Sequence, residues 1–117
     1  MRFEVLLGPT DGEYKGVAID KVTIGRGTDD TIAFPFARMI SRRHVEVVKD
    51  GRDYYIVDLG PHGDGSKNGT CILKKDGSEI EIWEGNLHPP LPGEKVSIEP
   101  GDIIILGRSI WLKFLGD

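Results

Sequence analysis

Short runs in which apolar and polar residues alternate, interrupted by glycine and proline, make up most of this chain. The runs are rich in β-branched and aromatic residues, which is typical of strands with one buried face. They predict ten strands, at residues 3–7, 14–19, 21–24, 45–48, 54–59, 70–73, 79–83, 96–98, 103–106 and 110–115. No segment keeps a period of 3.6 over ten residues, so we expect minimal helix.

Turn signals separate these strands and pair several of them into hairpins. Asp11-Gly12, Asp50-Gly51, Asp76-Gly77 and Gly107-Arg108 are the turn dipeptides. Residues 27–40 and 60–69 form long connections, and long loops in compact domains often carry function. A third loop, 85–93, contains three prolines.

The last predicted strand indicates where its buried face lies. Ile110, Leu112 and Phe114 alternate with Trp111 and Lys113, so one face should pack into a core. We interpret the other large aromatic residues in the same way, as core or sheet filling and not as ligand platforms. These residues are Tyr54, Trp83 and Trp111.

Length and composition fit one all-β domain, residues 1–117, built as two packed sheets. Sixteen glycines and seven prolines supply the turns. The net charge of −4 and the pI near 5.3 argue against general nucleic-acid binding. Neither a signal peptide nor a membrane-spanning run is apparent, so we expect a cytoplasmic protein, or a nuclear one if it is eukaryotic. A module cut from a longer protein would look the same.

One stretch opposes this acidic background by concentrating positive charge. Ser41-Arg42-Arg43-His44 directly precedes the predicted strand at 45–48. Local charge against the global sign indicates an anionic partner. The residues of this stretch do not distinguish a nucleic acid, a nucleotide and a phosphorylated side chain.

Enzymatic and metal-dependent functions find little support in the sequence. Gly60 and Gly65 have the spacing of a nucleotide-binding P-loop, but Ser66-Lys67 is reversed and a strand follows where the motif needs a helix. His44, His62, His88 and Cys71 lack the paired spacing of metal ligands. We therefore expect no catalytic activity, no cofactor and no metal.

Three spaced elements together resemble the forkhead-associated (FHA) domain. They are Ile24-Gly25-Arg26, Ser41-Arg42-Arg43-His44 and Asn68-Gly69-Thr70, with Asp58-Leu59 before the last and Gly101-Asp102 to Leu106-Gly107 near the end. The resemblance covers almost the whole chain. It implies an FHA/SMAD-like β-sandwich of about ten to eleven mostly antiparallel strands with binding loops at one end. It also implies a non-enzymatic signal-transduction module for protein–protein interaction, which binds phosphothreonine peptides.

The resemblance implies a role for each matching residue. Arg26, Ser41 and Arg42 would contact the phosphate, and Asn68 would hold the main chain of the peptide. A structural role falls to the remaining motif residues Gly25, His44, Gly69 and Thr70. Two further positions stay open: Lys67 and Arg43 would either contact the ligand or face water.

The chemistry of a phosphothreonine fits these residue types. The phosphate carries roughly −1.5 to −2 charges and three strong acceptor oxygens. An arginine such as Arg26 can meet two of those oxygens with its planar fork, and Ser41 adds a short hydroxyl donor. Asn68 offers both a donor and an acceptor, so it can pair with a peptide bond.

The chain departs from the family pattern between Leu59 and Ser66. Six residues, 60–65, stand where the family has one, so this loop could cover or reshape the peptide groove. The alternative function is a scaffold of the same fold that binds a partner protein without reading phosphate. For the main hypothesis we expect a monomer whose partner is a phosphothreonine-containing protein, and hence a link to a Ser/Thr kinase pathway.

Overall fold

Eleven strands build the described part of the chain, and no helix is present there. The structure, a computed structural model, describes residues 1–8, 14–16, 19–83 and 94–117. The strands are β1 Arg2–Leu7, β2 Tyr14–Gly16, β3 Lys21–Gly25, β4 Ile32–Ala33, β5 Val45–Asp50, β6 Asp53–Asp58, β7 Thr70–Leu73, β8 Glu79–Trp83, β9 Val96–Ile98, β10 Ile103–Leu106 and β11 Ile110–Gly116. A membrane-spanning helix does not occur in this part of the chain.

The strands form two sheets, as the all-β sandwich prediction requires. The six-stranded sheet has the order β2-β1-β11-β10-β7-β8, and the five-stranded sheet has the order β4-β3-β5-β6-β9. All recorded pairs are antiparallel except β3 with β4. The β-sandwich of mostly antiparallel strands is thereby confirmed.

The hydrophobic core lies between the two sheets. Strand β11 shows most clearly how alternation creates this core, because its residues alternate strictly between buried and half-buried from Ile110 to Gly116. Ile110, Leu112 and Phe114 face inward, with exposures of 1%, 0% and 0%. Phe114 also contacts the rings of Phe3 and Tyr54, at centroid distances of 5.5 and 4.8 Å.

Two of the three large aromatic residues are buried, and the third lies on the face of a sheet, as the interpretation as core or sheet filling allows. Tyr54 and Trp83 are buried. Trp111 is half-buried, because it lies on the opposite face of β11 from the core residues. It is sheet surface and not core.

The short strand β4 was not predicted. Two residues, Ile32 and Ala33, pair in parallel with Ile24 and Gly25 inside the segment that the sequence indicated as one long loop. A two-residue strand carries no alternation that a sequence pattern can reveal. The turn at 11–12, the proline loop at 85–93 and His88 lie outside the described residues, as do two residues of the strand expected at 14–19.

Candidate functional site

Four connections meet at one end of the sandwich. They follow β3, precede β5, precede β7 and join β10 to β11. Backbone hydrogen bonds tie them together: the Arg26 N–H donates to the Ser41 carbonyl at 3.0 Å, and the Gly107 N–H donates to the Gly69 carbonyl at 3.0 Å. Residues far apart in sequence therefore share one surface.

Arg26 leaves β3 through a tightly packed turn. A Cβ on Gly25 would lie 2.6 Å from Asp30 Oδ2 and 2.7 Å from the Ser41 carbonyl oxygen, so only glycine fits there. The buried carboxylate of Asp30 accepts the N–H groups of Gly27 and Arg43, at 2.9 and 3.1 Å. Asp30 thus joins the loop after β3 to the loop before β5.

His44 fixes the segment before β5 from inside the protein. Its Nδ1 accepts the Ser41 N–H at 3.0 Å, and its Nε2 lies 2.8 Å from the Gly69 carbonyl oxygen. The first bond requires an unprotonated Nδ1, so the neutral imidazole donates from Nε2 to Gly69.

Burial decides the charge of this histidine. Burial lowers the pKa of His44, although the Gly69 carbonyl and the carboxylates of Asp58 and Asp30 act in the opposite direction. Asp58 Oδ2 lies 3.9 Å from Nε2, which would be an ion pair only with a protonated ring. We favour the neutral form, because the contact with Ser41 needs it.

The Ser41 hydroxyl joins this segment to the loop before β7. Its oxygen accepts the Lys67 N–H at 3.0 Å, so its own hydrogen remains available for a ligand. Asn68 follows and donates one amide hydrogen to the Met39 carbonyl at 2.8 Å. The turn after Asn68 places Gly69 at a φ of 88°, a left-handed conformation that favours glycine.

A buried carboxylate organises the loop that carries Lys67 and Asn68. Asp58 accepts the Ser66 N–H at 2.6 Å, the Ser66 hydroxyl at 2.7 Å and the Thr70 hydroxyl at 2.5 Å. The hydroxyl oxygen of Ser66 in turn accepts the Gly69 N–H at 3.1 Å. The Ser66 carbonyl oxygen accepts the Trp83 indole N–H at 2.6 Å. Both ends of the Lys67–Asn68 pair are therefore held.

The six extra residues at 60–65 form a closed loop, which we call the glycine loop. The Gly65 N–H donates to the Leu59 carbonyl at 2.8 Å, and the Gly63 N–H donates to the Gly60 carbonyl at 3.3 Å. A Cβ on Gly65 would lie 2.6 Å from the Trp83 ring, so the loop backbone packs directly on that indole. The glycine loop is a fixed part of the site.

These connections enclose a concavity of about 320 Å³. Three cationic side chains line it, together with the Ser41 hydroxyl and three residues of the glycine loop; the full lining is Arg26, Ser41, Arg42, Pro61, Asp64, Gly65 and Lys67. Within the described residues, none of these three cations forms an ion pair with a carboxylate. The site therefore presents unneutralised positive charge, and an anion is the ligand that it suits.

Asn68 borders a second concavity of about 250 Å³ instead of the cationic one. Residues of the outer face of the six-stranded sheet line it, among them Cys71, Ile105 and Trp111, and so does Arg108 from the β10–β11 turn. Lys67 and Asn68 are consecutive, so the two concavities adjoin. An elongated ligand could occupy both.

Arg43 is separated from the other predicted site residues. It lines neither of these two concavities, and its φ of 45° is left-handed, so the segment is not extended at this position. Its backbone N–H donates to the buried carboxylate of Asp30.

Sequence reasoning missed the supporting roles of Asp30 and Trp83. Aspartate in a glycine-rich loop is a signal for side-chain bonds to nearby N–H groups, so Asp30 could have been suspected. The indole of Trp83 comes from a strand 17 residues beyond Ser66, and no local pattern reveals that contact. Within the described residues, no group of three or more histidine, cysteine or acidic side chains could hold a metal ion.

Comparison with known proteins connects this site to a family. A family model described as FHA domain matches residues 22–107. Protein FraH from Nostoc sp. is 29% identical over 93 residues, which make up 74% of this chain and 29% of FraH. The chain therefore spans less than a third of the length of that relative.

Solved structures share the fold at low sequence identity. The solution structure of the FHA domain of an Arabidopsis thaliana hypothetical protein superposes with a TM-score of 0.70 at 22% identity, covering 99% of this chain and 86% of that one. A structure described as an analysis of phosphothreonine-dependent FHA domain interactions superposes with a TM-score of 0.63 at 23% identity, covering 99% and 97%. At these identities the likeness concerns the fold alone.

Proposed function

Because this chain belongs to the FHA-domain family, we propose that it binds phosphothreonine-containing segments of a partner protein through its cationic concavity. FHA domains are phosphopeptide-dependent interaction modules. The observation that carries the proposal is the convergence of Arg26, Arg42, Lys67 and the Ser41 hydroxyl around one concavity. Their charges and donors match a phosphate.

Each group has a role that its chemistry supports. Arg26 and Arg42 supply planar forks that can each meet two phosphate oxygens. Ser41 donates its hydroxyl hydrogen, which the bond from the Lys67 N–H leaves free. Lys67 adds a point charge and a third cationic donor. Of the two residues that the sequence left open, we assign Lys67 to the phosphate and Arg43 to solvent.

Asn68 would hold the peptide main chain beside the phosphate. One of its amide hydrogens bonds to the Met39 carbonyl. The second hydrogen and the side-chain oxygen can pair with a peptide bond of the ligand. That first bond fixes the amide plane, so less side-chain entropy is lost when the peptide binds.

The expected affinity follows from the number of charged contacts. Hydrogen bonds to charged groups contribute about 1.5–3 kcal/mol each, so three give roughly 5–9 kcal/mol. Association costs at least several kcal/mol, so residues flanking the phosphothreonine must contribute as well. We expect micromolar dissociation constants, about −8 kcal/mol.

The two side chains with catalytic chemistry, His44 and Cys71, are poorly suited to catalysis. His44 is fully buried, and both its ring nitrogens are engaged. Burial, with smaller contributions from Glu81 and Glu79, raises the pKa of the Cys71 thiol. A reactive thiolate is thereby disfavoured. A binding function accounts for the site without either residue.

The decisive experiment is a phosphothreonine peptide library screened against the purified protein. We expect binders whose unphosphorylated forms do not bind, and a further loss of affinity when phosphoserine replaces phosphothreonine, because the resemblance implies a small pocket for the threonine methyl group. Equal binding of phosphorylated and unphosphorylated forms would refute phosphate recognition and favour the phosphate-independent scaffold.

A further inference from the structure

We propose that Asp64 makes the site select the charge of the residue beside the phosphothreonine, favouring lysine or arginine and rejecting aspartate or glutamate. The selected position lies where the peptide passes the glycine loop. This inference rests on the proposed function and adds a specificity determinant to it.

The position of Asp64 is the first support. Asp64 lines the same concavity as the three cations, and among the described residues it is the only lining residue with a carboxylate. The concavity measures about 320 Å³. Pro61 and Gly65 of the glycine loop line the concavity as well, so a ligand bound there lies against this loop. The charge of Asp64 therefore acts on a bound peptide.

The charges of the free site leave Asp64 uncompensated. Among the described residues, the Asp64 carboxylate forms no ion pair with any cation, including Arg26, Arg42 and Lys67. A bound phosphate, with roughly −1.5 to −2 charges, would take up most of the charge of those three cations. Asp64 then faces the ligand as a negative group. A basic neighbour of the phosphothreonine pairs with Asp64, whereas an acidic neighbour is repelled by it.

The glycine loop cannot easily move to relieve that repulsion. Its ends are bonded, with the Gly65 N–H on the Leu59 carbonyl. Gly60 has a φ of 73°, and a Cβ there would collide with the Gly65 carbonyl. Gly65 packs on Trp83, whose indole is fixed by its bond to Ser66. A loop closed in this way keeps the backbone on both sides of Asp64 close to the concavity.

The test uses one phosphothreonine peptide that binds, with lysine or glutamate placed in turn at each position within two residues of the phosphothreonine. In low salt we expect one position, or two adjacent ones, where the lysine peptide binds roughly fivefold more tightly than the glutamate peptide, as for an exposed ion pair. The preference should shrink in high salt, because exposed charges are screened.

Three variants separate Asp64 from the overall charge of the protein. Asp64→Asn should remove the preference, and Asp64→Lys should invert it. Asp53→Lys is the matched control, because Asp53 is also exposed but begins β6, whereas the site lies beyond the end of that strand. Asp53→Lys changes the net charge as much as Asp64→Lys does. Its distance from the site exceeds the screening length of about 10 Å at 0.1 M salt.

Each result decides the matter. Equal affinities for lysine and glutamate peptides, or a preference that persists in Asp64→Lys, would overturn the role of Asp64 while leaving phosphopeptide binding in place. Inversion by Asp53→Lys as well would show a net-charge effect and would also overturn it. If no peptide bound in a phosphate-dependent way, the proposed function itself would fall, and this inference with it.

Discussion

Single residues at the proposed binding end divide into those that would face the ligand and those that hold them in place. Arg26, Arg42 and Lys67 are exposed, while His44 and Asp30 are buried behind them. The buried residues bond to backbone N–H and C=O groups of the loops. Mutating a ligand-facing residue should therefore affect binding, and mutating a supporting one should affect stability as well.

Replacing Arg26 tests the first group. We expect Arg26→Ala to lower phosphopeptide affinity at least about tenfold, since one charge-assisted contact contributes about 1.5–3 kcal/mol. Its thermal midpoint should stay close to that of the unmodified protein, because the side chain is exposed. Titration calorimetry and a thermal melt measure the two quantities.

Two companion variants sharpen this prediction. Arg26→Lys keeps the charge but loses the planar fork. Its phosphopeptide affinity should therefore fall between that of the unmodified protein and that of Arg26→Ala. Arg52→Ala removes an equally exposed arginine from the β5–β6 turn and should bind normally. Normal binding by Arg26→Ala would place the phosphate elsewhere.

His44 predicts a dependence of stability on pH. Burial places its pKa below the unfolded value of about 6.5, so below that pH the unfolded chain binds more protons than the native one. The contribution to the free energy of unfolding is complete above about pH 6.5 and decreases as the pH falls from there towards the native pKa. Urea denaturation at pH 7.5 and pH 5.5 measures this loss.

The matched controls replace two histidines separately. His44→Gln should reduce the loss of stability between these pH values, whereas His62→Gln, in the exposed part of the glycine loop, should leave it unchanged. An identical pH dependence in both variants would mean that His44 is not the group responsible.

At the scale of elements, the loops are shaped by strands that lie behind them. Strand β6 ends at Asp58, which bonds to Ser66 and Thr70, and strand β8 ends at Trp83, which bonds to the Ser66 carbonyl. Two strands from different sheets thus fix one loop. The position of the loop should depend on both.

Trp83→Phe tests that dependence. It keeps an aromatic ring against Gly65 but leaves the buried Ser66 carbonyl without its indole partner, at a cost of about 1–3 kcal/mol in unfolding free energy. We also expect weaker phosphopeptide binding, because Lys67 and Asn68 directly follow Ser66 in the chain and their positions depend on it. Trp111→Phe, on the half-exposed outer face of the sheet, should lower the free energy of unfolding by less. Equal losses of stability in both variants would remove the special role assigned to Trp83.

At the scale of the whole molecule, the two sheets form a scaffold whose core is separate from the site. The core runs between the sheets and includes Phe3, Ile72, Ile104 and Leu112, all fully buried. The ligand-facing side chains lie on loops beyond the strand ends. Stability and binding should therefore respond to different mutations.

Leu112→Ala examines this separation. Removal of a fully buried leucine from the middle of β11 should lower the free energy of unfolding by about 2–5 kcal/mol. The molecules that remain folded should bind the phosphopeptide with unchanged affinity. Lys113→Ala, on the other face of the same strand, should change stability by less than about 0.5 kcal/mol. A large loss of affinity in folded Leu112→Ala would show that the core and the site are coupled.

The sequence by itself determined the fold class, ten of the eleven strands, the inward face of β11 and the motif residues. Period-two alternation and glycine-rich turns are local signals, because a strand's burial repeats every second residue. Those signals predicted β7, β8, β9 and β10 with the bounds that the structure shows. They could not predict β4, which is too short for a pattern.

Only the tertiary structure decided how the site is assembled. The bonds of Asp30 to Arg43, Lys67 to Ser41 and Trp83 to Ser66 span 13, 26 and 17 residues, so no local pattern encodes them. The packing of the sheets brings these residues together. The same packing places Lys67 and Asp64 in one concavity with Arg26 and Arg42, and Asn68 at the neighbouring concavity. Those placements depend on which strand ends lie next to one another in space, and the order of the strands along the chain does not determine this.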